Sequence, residues 1–211
     1  MWLLILKKTI TLLALIEPFS VIPIYLATVE GLPATAQRRF ARALGITVTI
    51  ALLVSGLLGL HLLSMVGVSL DGMRVGGGLI TLLIAIAMVV GQEKAVKQGD
   101  YDASASIDGR GASIVPLGIP LLVGPATLAY SMVTSSLGSG ADVAVVIIPS
   151  LICGLITWGV FASSQRASGF MTPSMRGIVE RLSGFLLAGL AVDLIAAGMV
   201  GLFPALKGAG A

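Results

Sequence analysis

Six stretches of this chain are long enough and apolar enough to cross a lipid bilayer, and this feature limits the possible folds most. A transmembrane helix needs about 20 consecutive, mainly apolar residues. Hydrophobic residues make up 56% of the sequence and charged residues 11%, whereas a soluble domain carries about 25% charged residues. The stretches are residues 9–29, 43–70, 75–91, 111–141, 143–165 and 182–206. The sequence therefore predicts an all-α integral membrane protein with six transmembrane helices.

Prolines interrupt the first and the fourth of these stretches. The first contains Glu-Pro-Phe-Ser-Val-Ile-Pro at residues 17–23, and the fourth contains Pro116, Pro120 and the pair Gly124-Pro125. Proline lacks a backbone donor and clashes with the preceding turn, so we expect both helices to be broken at proline. Broken backbone at membrane depth is tolerated only where protein or a water-filled cavity surrounds it. A matched pair of broken helices therefore indicates a transport site.

The longest polar segment, residues 92–112, divides the chain into two parts with three apolar stretches each. It is the only loop rich in Asp and Lys, with Gly and Ser between them. We interpret it as a cytoplasmic linker between a first three-helix repeat, 1–91, and a second, 113–211. Nine of the 13 Lys and Arg residues fall in the loops on the side of this linker. Since basic loops stay in the cytoplasm, both termini are predicted to lie outside.

An offset of 107 residues relates the two parts. The pairs that it brings into register are Pro18 with Pro125, Ser20 with Thr127, and Arg74 with Arg181. Because each part has an odd number of spans, a duplicated part must insert upside down. The result is an inverted repeat, the arrangement that many secondary transporters use for alternating access.

Two acidic residues, Glu17 and Asp193, lie near the middle of apolar stretches. A charge at that depth is costly, so an intramembrane carboxylate indicates a functional site by default. Their depths match, and we expect them to converge on one cavity. Two structural alternatives stay open. One is that Glu17 caps the free N–H groups after Pro18. The other is that Asp193 forms an interhelical hydrogen bond as a protonated acid.

The residues after each break predict the chemistry of the cargo. If Pro18 and Pro125 begin the second half-helices, free N–H groups and positive dipole ends follow each of them. Such an end binds an anionic group, for example a carboxylate. Ser20 and Thr127 add hydroxyl groups. An intramembrane carboxylate beside these donors would meet an ammonium group, Na⁺ or H⁺, so a small amino acid is a reasonable cargo.

Two arginines open the third and the sixth stretch. At such positions the long basic side chain of Arg74 or Arg181 ordinarily reaches the lipid head groups. Asp71 precedes Arg74 by three residues, the spacing at which opposite charges meet on one helix face. We therefore expect an Asp71–Arg74 pair at the outer surface.

Several other functions find no support in the residue pattern. With one histidine, His61, and one cysteine, Cys153, we expect no metal site. There is no glycine-rich phosphate loop, which argues against an ATP-driven pump. Glu17 and Asp193 lack the flanking pattern of intramembrane aspartyl hydrolases, so neither enzyme activity nor a cofactor is expected. The basic residues lie in loops, which membrane orientation explains better than nucleic-acid binding.

These motifs resemble those of the MarC family, also called the SnatA-type neutral amino acid transporter family, of six-span inner-membrane proteins. The family pattern Asp/Asn-Pro-x-x-x-x-Pro is matched at residues 17–23, and Arg-x-x-Gly-Gly at residues 74–78. The most specific pattern, Pro-Leu-x-Ile-Pro-Leu-x-x-Gly-Pro, is matched at residues 116–125. The resemblance covers most of the chain.

The resemblance implies uptake of small neutral amino acids, such as glycine or alanine, in the cytoplasmic membrane of a bacterium or archaeon. The driving force would be a Na⁺ or proton gradient. Two departures leave the coupling ion and the cargo open: Glu17 replaces Asp or Asn, and Asp193 stands where an uncharged polar residue is more usual. The expected cargo and ion site comprises Glu17, Pro18, Ser20, Gly124, Pro125, Thr127 and Asp193. An exporter of another metabolite or drug, a non-transporting scaffold or sensor, and an oligomer stay open.

Overall fold

The described part of the chain consists of helices joined by short turns, without strands. The computed structural model describes residues 2–90, 122–132, 140–167 and 173–205. In chain order its helices are α1 (Trp2–Ile16), α2 (Ile22–Val29), α3 (Ala34–Val66), α4 (Leu70–Val90), α5 (Pro125–Met132), α6 (Gly140–Ala167) and α7 (Pro173–Leu202). The predicted linker, 92–112, lies outside the described residues, as do Pro116 and Pro120, so the division into two repeats stays a prediction.

Four of the described helices contain a segment long and apolar enough to cross a membrane. These segments are Ala34–Val66, Leu70–Val90, Val143–Ser164 and Glu180–Leu202. Large apolar side chains cover their outward faces, among them Leu58, Leu83, Leu155 and Phe185. Such surfaces suit lipid, which is as apolar as leucine. The all-helical membrane architecture is therefore confirmed, whereas six spans stay a prediction because α1, α2 and α5 are short.

The first apolar stretch is broken, as the sequence predicts. The helix α1 ends at Ile16, and α2 begins only at Ile22. Between them Glu17 has a φ of 45°, in the left-handed region that a non-glycine residue rarely adopts. Glu17 precedes Pro18, and a residue before proline is disfavoured in the right-handed helical region. The helix therefore ends where the pair Glu17-Pro18 begins.

A three-residue connection joins α3 to α4 and makes them an antiparallel hairpin. Gly67 caps α3 with a φ of 77°, a left-handed conformation that costs glycine little. The N–H group of Val68 donates to the carbonyl of Leu63 at 3.0 Å, and that of Gly67 to Ser64 at 3.3 Å. This left-handed cap ends the helix and turns the chain. As a result, α4 ends at the end of the bundle where α3 begins.

The helices α3 and α6 pack against each other in antiparallel orientation. Near the start of α3, Gly45 faces Gly154 and Trp158 of α6, and farther along α3 Gly56 faces Val146. Residues of increasing number along α3 thus contact residues of decreasing number along α6. An added Cβ at Gly45 would lie 2.7 Å from the carbonyl oxygen of Gly154, so the glycines permit this close approach.

The helices α4 and α7 form a second antiparallel pair. Gly198 of α7 faces the first turn of α4, Gly78 faces Ile195, and Gly184 faces Met88 near the end of α4. Since α3 and α4 are themselves antiparallel, the end of α4 and the start of α6 lie at opposite ends of the bundle. The C-terminal end of α7 lies with the α3–α4 connection.

The first stretch runs from that end of the bundle towards the start of α3. Lys8 of α1 donates to the carbonyl of Ser131, whose own hydroxyl donates to the carbonyl of Leu52 in the second half of α3. Farther along, the Tyr25 hydroxyl of α2 donates to the carbonyl of Gln37, in the first turn of α3. The start of α1 and the end of α7 therefore lie at the same end of the bundle.

Candidate functional site

A partly open cavity of about 280 Å³ lies between α1, α4, α5 and α7. It is lined by Thr11, Leu15, Arg74, Tyr130, Leu190, Asp193, Leu194 and Ala197. Ligand pockets usually measure about 300–1,000 Å³ and combine apolar walls with a few polar groups. This cavity has that composition and a volume just below that range, so it suits a small solute.

Asp193 supplies the negative charge of the cavity lining. It lies in the middle of the apolar segment Glu180–Leu202 of α7. Within the described residues its carboxylate forms neither a hydrogen bond nor an ion pair. A carboxylate at membrane depth is costly unless a counter-charge or proton accompanies it. Asp193 is therefore suited to receive a cation, a proton or an ammonium group.

Arg74 brings a positive charge to the same cavity. Its Nη1 donates to Oδ1 of Asp71 at 2.5 Å, so the predicted Asp71–Arg74 ion pair is confirmed. Its side chain is only 20% exposed and lines the cavity, which does not fit the interpretation of Arg74 as a head-group anchor. A signal was present in the sequence: Gly77 and Gly78 follow at three and four residues, on the same face of α4.

The break after α1 contains three of the predicted site residues. The N–H group of Glu17 donates to the carbonyl of Leu13 at 3.1 Å, and its carbonyl accepts from Ser20 N–H at 3.1 Å. Pro18 is buried beside them. Among the described residues, Ser20 Oγ is a buried atom without a hydrogen-bond partner. Glu17 is absent from the lining of the cavity, so this cavity does not join Glu17 to Asp193.

The start of α2 differs from the prediction for Pro18. Helix α2 begins at Ile22, four residues after Pro18. A turn fills the interval, because Ile22 N–H donates to the carbonyl of Phe19 at 3.3 Å and Ser20 N–H donates within the same turn. The expected free N–H groups directly after Pro18 are thus partly used by the turn, and Pro18 does not start the second half-helix.

The second predicted segment starts a helix where the sequence places it. Pro125 is the first residue of α5, and the carbonyl of Gly124 accepts from Leu128 N–H at 3.1 Å. Thr127 is 1% exposed, and its Oγ1 donates to the carbonyl of Leu15 at 3.4 Å. That carbonyl belongs to the last turn of α1, which leaves its carbonyls without partners inside the helix. Thr127 therefore joins α5 to the end of α1.

The two predicted segments are neighbours in the fold, and both border the cavity. Leu15, a lining residue, precedes Glu17 by two positions and receives the Thr127 hydrogen bond. Tyr130, another lining residue, follows Thr127 by three positions. The structure thus brings the two predicted segments together. Of the predicted residues, however, Asp193 alone appears in this lining.

Lys8 is a residue near the site that sequence analysis missed, because it directly precedes the first apolar stretch, residues 9–29. It lies within α1, is 4% exposed, and its Nζ donates to the carbonyl of Ser131 at 3.2 Å. Thr11 and Leu15 follow at three and seven residues, on the same face of α1. Ser131 is in the last turn of α5, where a cation is favourable. Lys8 therefore ties α1 to α5 one turn from the cavity.

Comparison with known proteins gives a family but no cargo. The family model described as "MarC family integral membrane protein" matches residues 2–203. The UPF0056 membrane protein YhcE of Escherichia coli (strain K12) is 28% identical over 206 residues, which cover 95% of this chain and 94% of the relative. YvbG of Bacillus subtilis (strain 168) is 30% identical over 199 residues, covering 93% and 94%. No solved structure matches the chain.

Proposed function

We propose that this chain, which belongs to the MarC family of integral membrane proteins, is a secondary transporter of small neutral amino acids such as glycine and alanine. A Na⁺ or proton gradient drives transport by alternating access. The observation that carries the proposal is the cavity between α1, α4, α5 and α7, where Asp193 has no partner in the described part of the chain. A carboxylate at membrane depth is the group that a transported cation or ammonium neutralises.

The pairing of the helices supports an inverted repeat. With the offset of 107 residues, α3 corresponds to α6 and α4 to α7, and the corresponding helices pack as antiparallel pairs. A two-fold axis in the membrane plane produces antiparallel pairs, whereas an axis along the membrane normal produces parallel ones. With either axis, the helices next to the axis pack against their counterparts in the other half. The observed pairs therefore agree with an upside-down second half.

Contacts between α4 and α7 agree with the same axis. At the offset of 107, Gly184 corresponds to Gly77 and Ile195 to Met88. The contact of Gly78 with Ile195 is therefore mirrored, to within one residue, by the contact of Gly184 with Met88. In this arrangement the cavity lies between helices of both halves, where a rocking movement would expose it to alternate sides.

The alternatives are an exporter of another metabolite or drug, and a scaffold or sensor that transports nothing. The small volume of the cavity favours a small cargo over a drug-sized one. A scaffold has no need of a partly open cavity lined by Arg74 and Asp193. We place the transporter in the cytoplasmic membrane, with both termini outside.

The test is uptake of labelled glycine and alanine into proteoliposomes under an imposed Na⁺ or proton gradient. Asp193→Asn is expected to reduce gradient-driven accumulation by about tenfold or more, because a hydrogen bond to a charged group contributes about 1.5–3 kcal/mol. Glu30→Gln is the matched control, since Glu30 is exposed just after α2 and outside the cavity lining. Absence of uptake by folded wild-type protein would favour the exporter or the scaffold.

The same vesicles decide the role of Glu17. If Glu17→Gln abolishes gradient-driven uptake, the carboxylate belongs to the ion or cargo pathway. If uptake is unchanged, Glu17 serves the broken helix alone.

A further inference from the structure

We propose that Arg74 selects a cargo that carries a carboxylate group, and that Asp71 holds Arg74 in place while the cavity is empty. The inference rests on the proposed function, because it names the chemical group that the same cavity recognises. It also assigns the Asp71–Arg74 pair a task beyond stabilising the surface of the bundle.

The first observation is where the two residues of the Asp71–Arg74 pair lie relative to the cavity. Arg74 lines the cavity, whereas Asp71 does not. The pair therefore presents its cation to the cavity, and its anion lies one turn away on α4. Both side chains are partly buried, with exposures of 20% for Arg74 and 29% for Asp71, whereas a fully exposed surface pair contributes little to stability.

The second observation concerns the hydrogen-bond donors of the Arg74 guanidinium. Within the described residues, the guanidinium of Arg74 donates one hydrogen bond, from Nη1 to Oδ1 of Asp71. A guanidinium has five N–H donors in a planar fork. Donors thus remain for a second carboxylate, which arginine binds with better geometry than lysine. A cargo carboxylate can join Asp71 on Arg74 or replace it.

Helix α7 has glycines where it contacts the Asp71–Arg74 pair. An added Cβ at Gly201 of α7 would collide with the carboxylate of Asp71, and one at Gly198 would lie 3.1 Å from Cβ of Arg74. Both positions are glycine, so α7 can pack directly against the pair. Asp71 is thereby held between two helices beside the cavity, as its proposed task requires.

The last observation concerns the charges of the lining. Arg74 and Asp193 both line the cavity and have opposite signs. A zwitterion matches these two groups, with its carboxylate on Arg74 and its ammonium near Asp193, and the negative charge of Asp71 is then left for the coupling Na⁺ or proton of the proposed function. An amino acid amide keeps the ammonium but lacks the carboxylate, so Arg74 should discriminate against it.

Competition for uptake of labelled glycine into proteoliposomes tests the inference. In the wild type, unlabelled alanine is expected to compete, whereas glycinamide is not. Arg74→Gln should raise the KM for glycine by about tenfold or more, the effect of removing one charge-assisted hydrogen bond. Asp71→Asn should lower the KM or leave it unchanged, because it frees Arg74. A merely structural pair would lose function in both variants. Arg181→Gln is the matched control: Arg181 lies at the corresponding position of α7, exposed and outside the cavity lining.

A binding measurement separates failure of this inference from failure of the proposed function. The melting temperature of purified protein in detergent is recorded with glycine, glycinamide or acetate. Stabilisation by glycine that exceeds that by glycinamide, and that Arg74→Gln removes, supports carboxylate selection even if vesicles show no uptake. Equal shifts with glycine and glycinamide, or no carboxylate-dependent shift, overturn it. Uptake of glycine that glycinamide blocks as well as alanine does would overturn the inference and leave the transporter standing.

Discussion

At the scale of single residues, Glu17 shows how one position determines the shape of the first span. Its φ of 45° ends α1, and the following Pro18 prevents the helix from resuming at once. A left-handed conformation costs an L-residue about 1–2 kcal/mol. The surrounding structure holds it there: Ile16 and Val21, on either side of the break, are almost fully buried in the core.

The backbone strain at Glu17 is testable separately from its carboxylate. Glu17→Gly and Glu17→Ala both remove the side-chain contacts, and they differ in the tolerance of the backbone for positive φ. We expect Glu17→Gly to be more stable than Glu17→Ala by about 1–2 kcal/mol, the cost of the left-handed conformation for a residue with a Cβ. Unfolding in mixed micelles measures the difference.

In the control for this prediction, glycine is expected to be less stable than alanine. Ala14 lies three residues earlier in the regular part of α1, where glycine is the less favourable residue by about 1 kcal/mol. Ala14→Gly should therefore destabilise the protein. If glycine is also less stable than alanine at position 17, the left-handed conformation of Glu17 is wrong.

At the scale of helices, glycines decide how closely neighbours approach. Lipid provides no hydrophobic drive for association between helices, so close packing and hydrogen bonds must hold them together. In the α3–α6 pair, Gly45 and Gly154 face each other, and Thr49 Oγ1 lies over the space that a side chain at Gly154 would need. That hydroxyl donates to the carbonyl of Gly45 at 2.9 Å, so it cannot easily turn away.

Two glycines on α6 form a matched pair for testing this contact. Gly154→Ala would place a methyl group against Thr49 and Gly45, and overpacking of this kind costs about 1–3 kcal/mol. Gly159→Ala meets nothing within 4 Å, so it should be neutral or slightly stabilising through its better helix propensity. Melting temperatures of both variants in the same detergent provide the comparison. Equal melting temperatures would contradict the close α3–α6 approach.

At the scale of the whole molecule, the two antiparallel pairs determine which helix ends share a face of the bundle. The α3–α4 connection and the end of α7 lie on one face, and the start of α3 lies on the other. The basic residues Arg38, Arg39 and Arg42 follow the start of α3. The preference of basic loops for the cytoplasm then predicts that the face with the end of α7 lies outside.

Cysteine labelling in intact cells tests this arrangement. Cys153 is completely buried, and replacing it by alanine removes the native thiol. In that background, cysteine at Val68 or Phe203 should react with a membrane-impermeant maleimide added outside, whereas cysteine at Ala34 should react only after lysis. All three positions are exposed. Labelling of Val68 and Phe203 from opposite sides would contradict the antiparallel pairs, and reversal of all three would contradict only the orientation.

The sequence by itself determined the features that depend on local physics. The length of the apolar runs predicts membrane helices, because each run must satisfy its own backbone hydrogen bonds in lipid. Proline chemistry predicts the break after Ile16 and the start of α5 at Pro125, since both follow from a missing donor and a steric clash. The cost of a charge among apolar residues singled out Asp193, and the three-residue spacing predicted the Asp71–Arg74 pair.

Only the tertiary structure decided which of these groups share a cavity. Each of these helices is apolar on most of its surface, so the sequence carries little signal for the face that meets another helix rather than lipid. For this reason the sequence indicates neither that Arg74 lines the cavity nor that Lys8 is buried. It predicts one cavity for Glu17 and Asp193, whereas Asp193 and not Glu17 lines the cavity between α1, α4, α5 and α7. In the fold, contacts between residues more than 100 positions apart, such as Lys8 with Ser131 and Leu15 with Thr127, set the neighbours of the cavity. Such contacts depend on how α1, α4, α5 and α7 pack together, which no local pattern encodes.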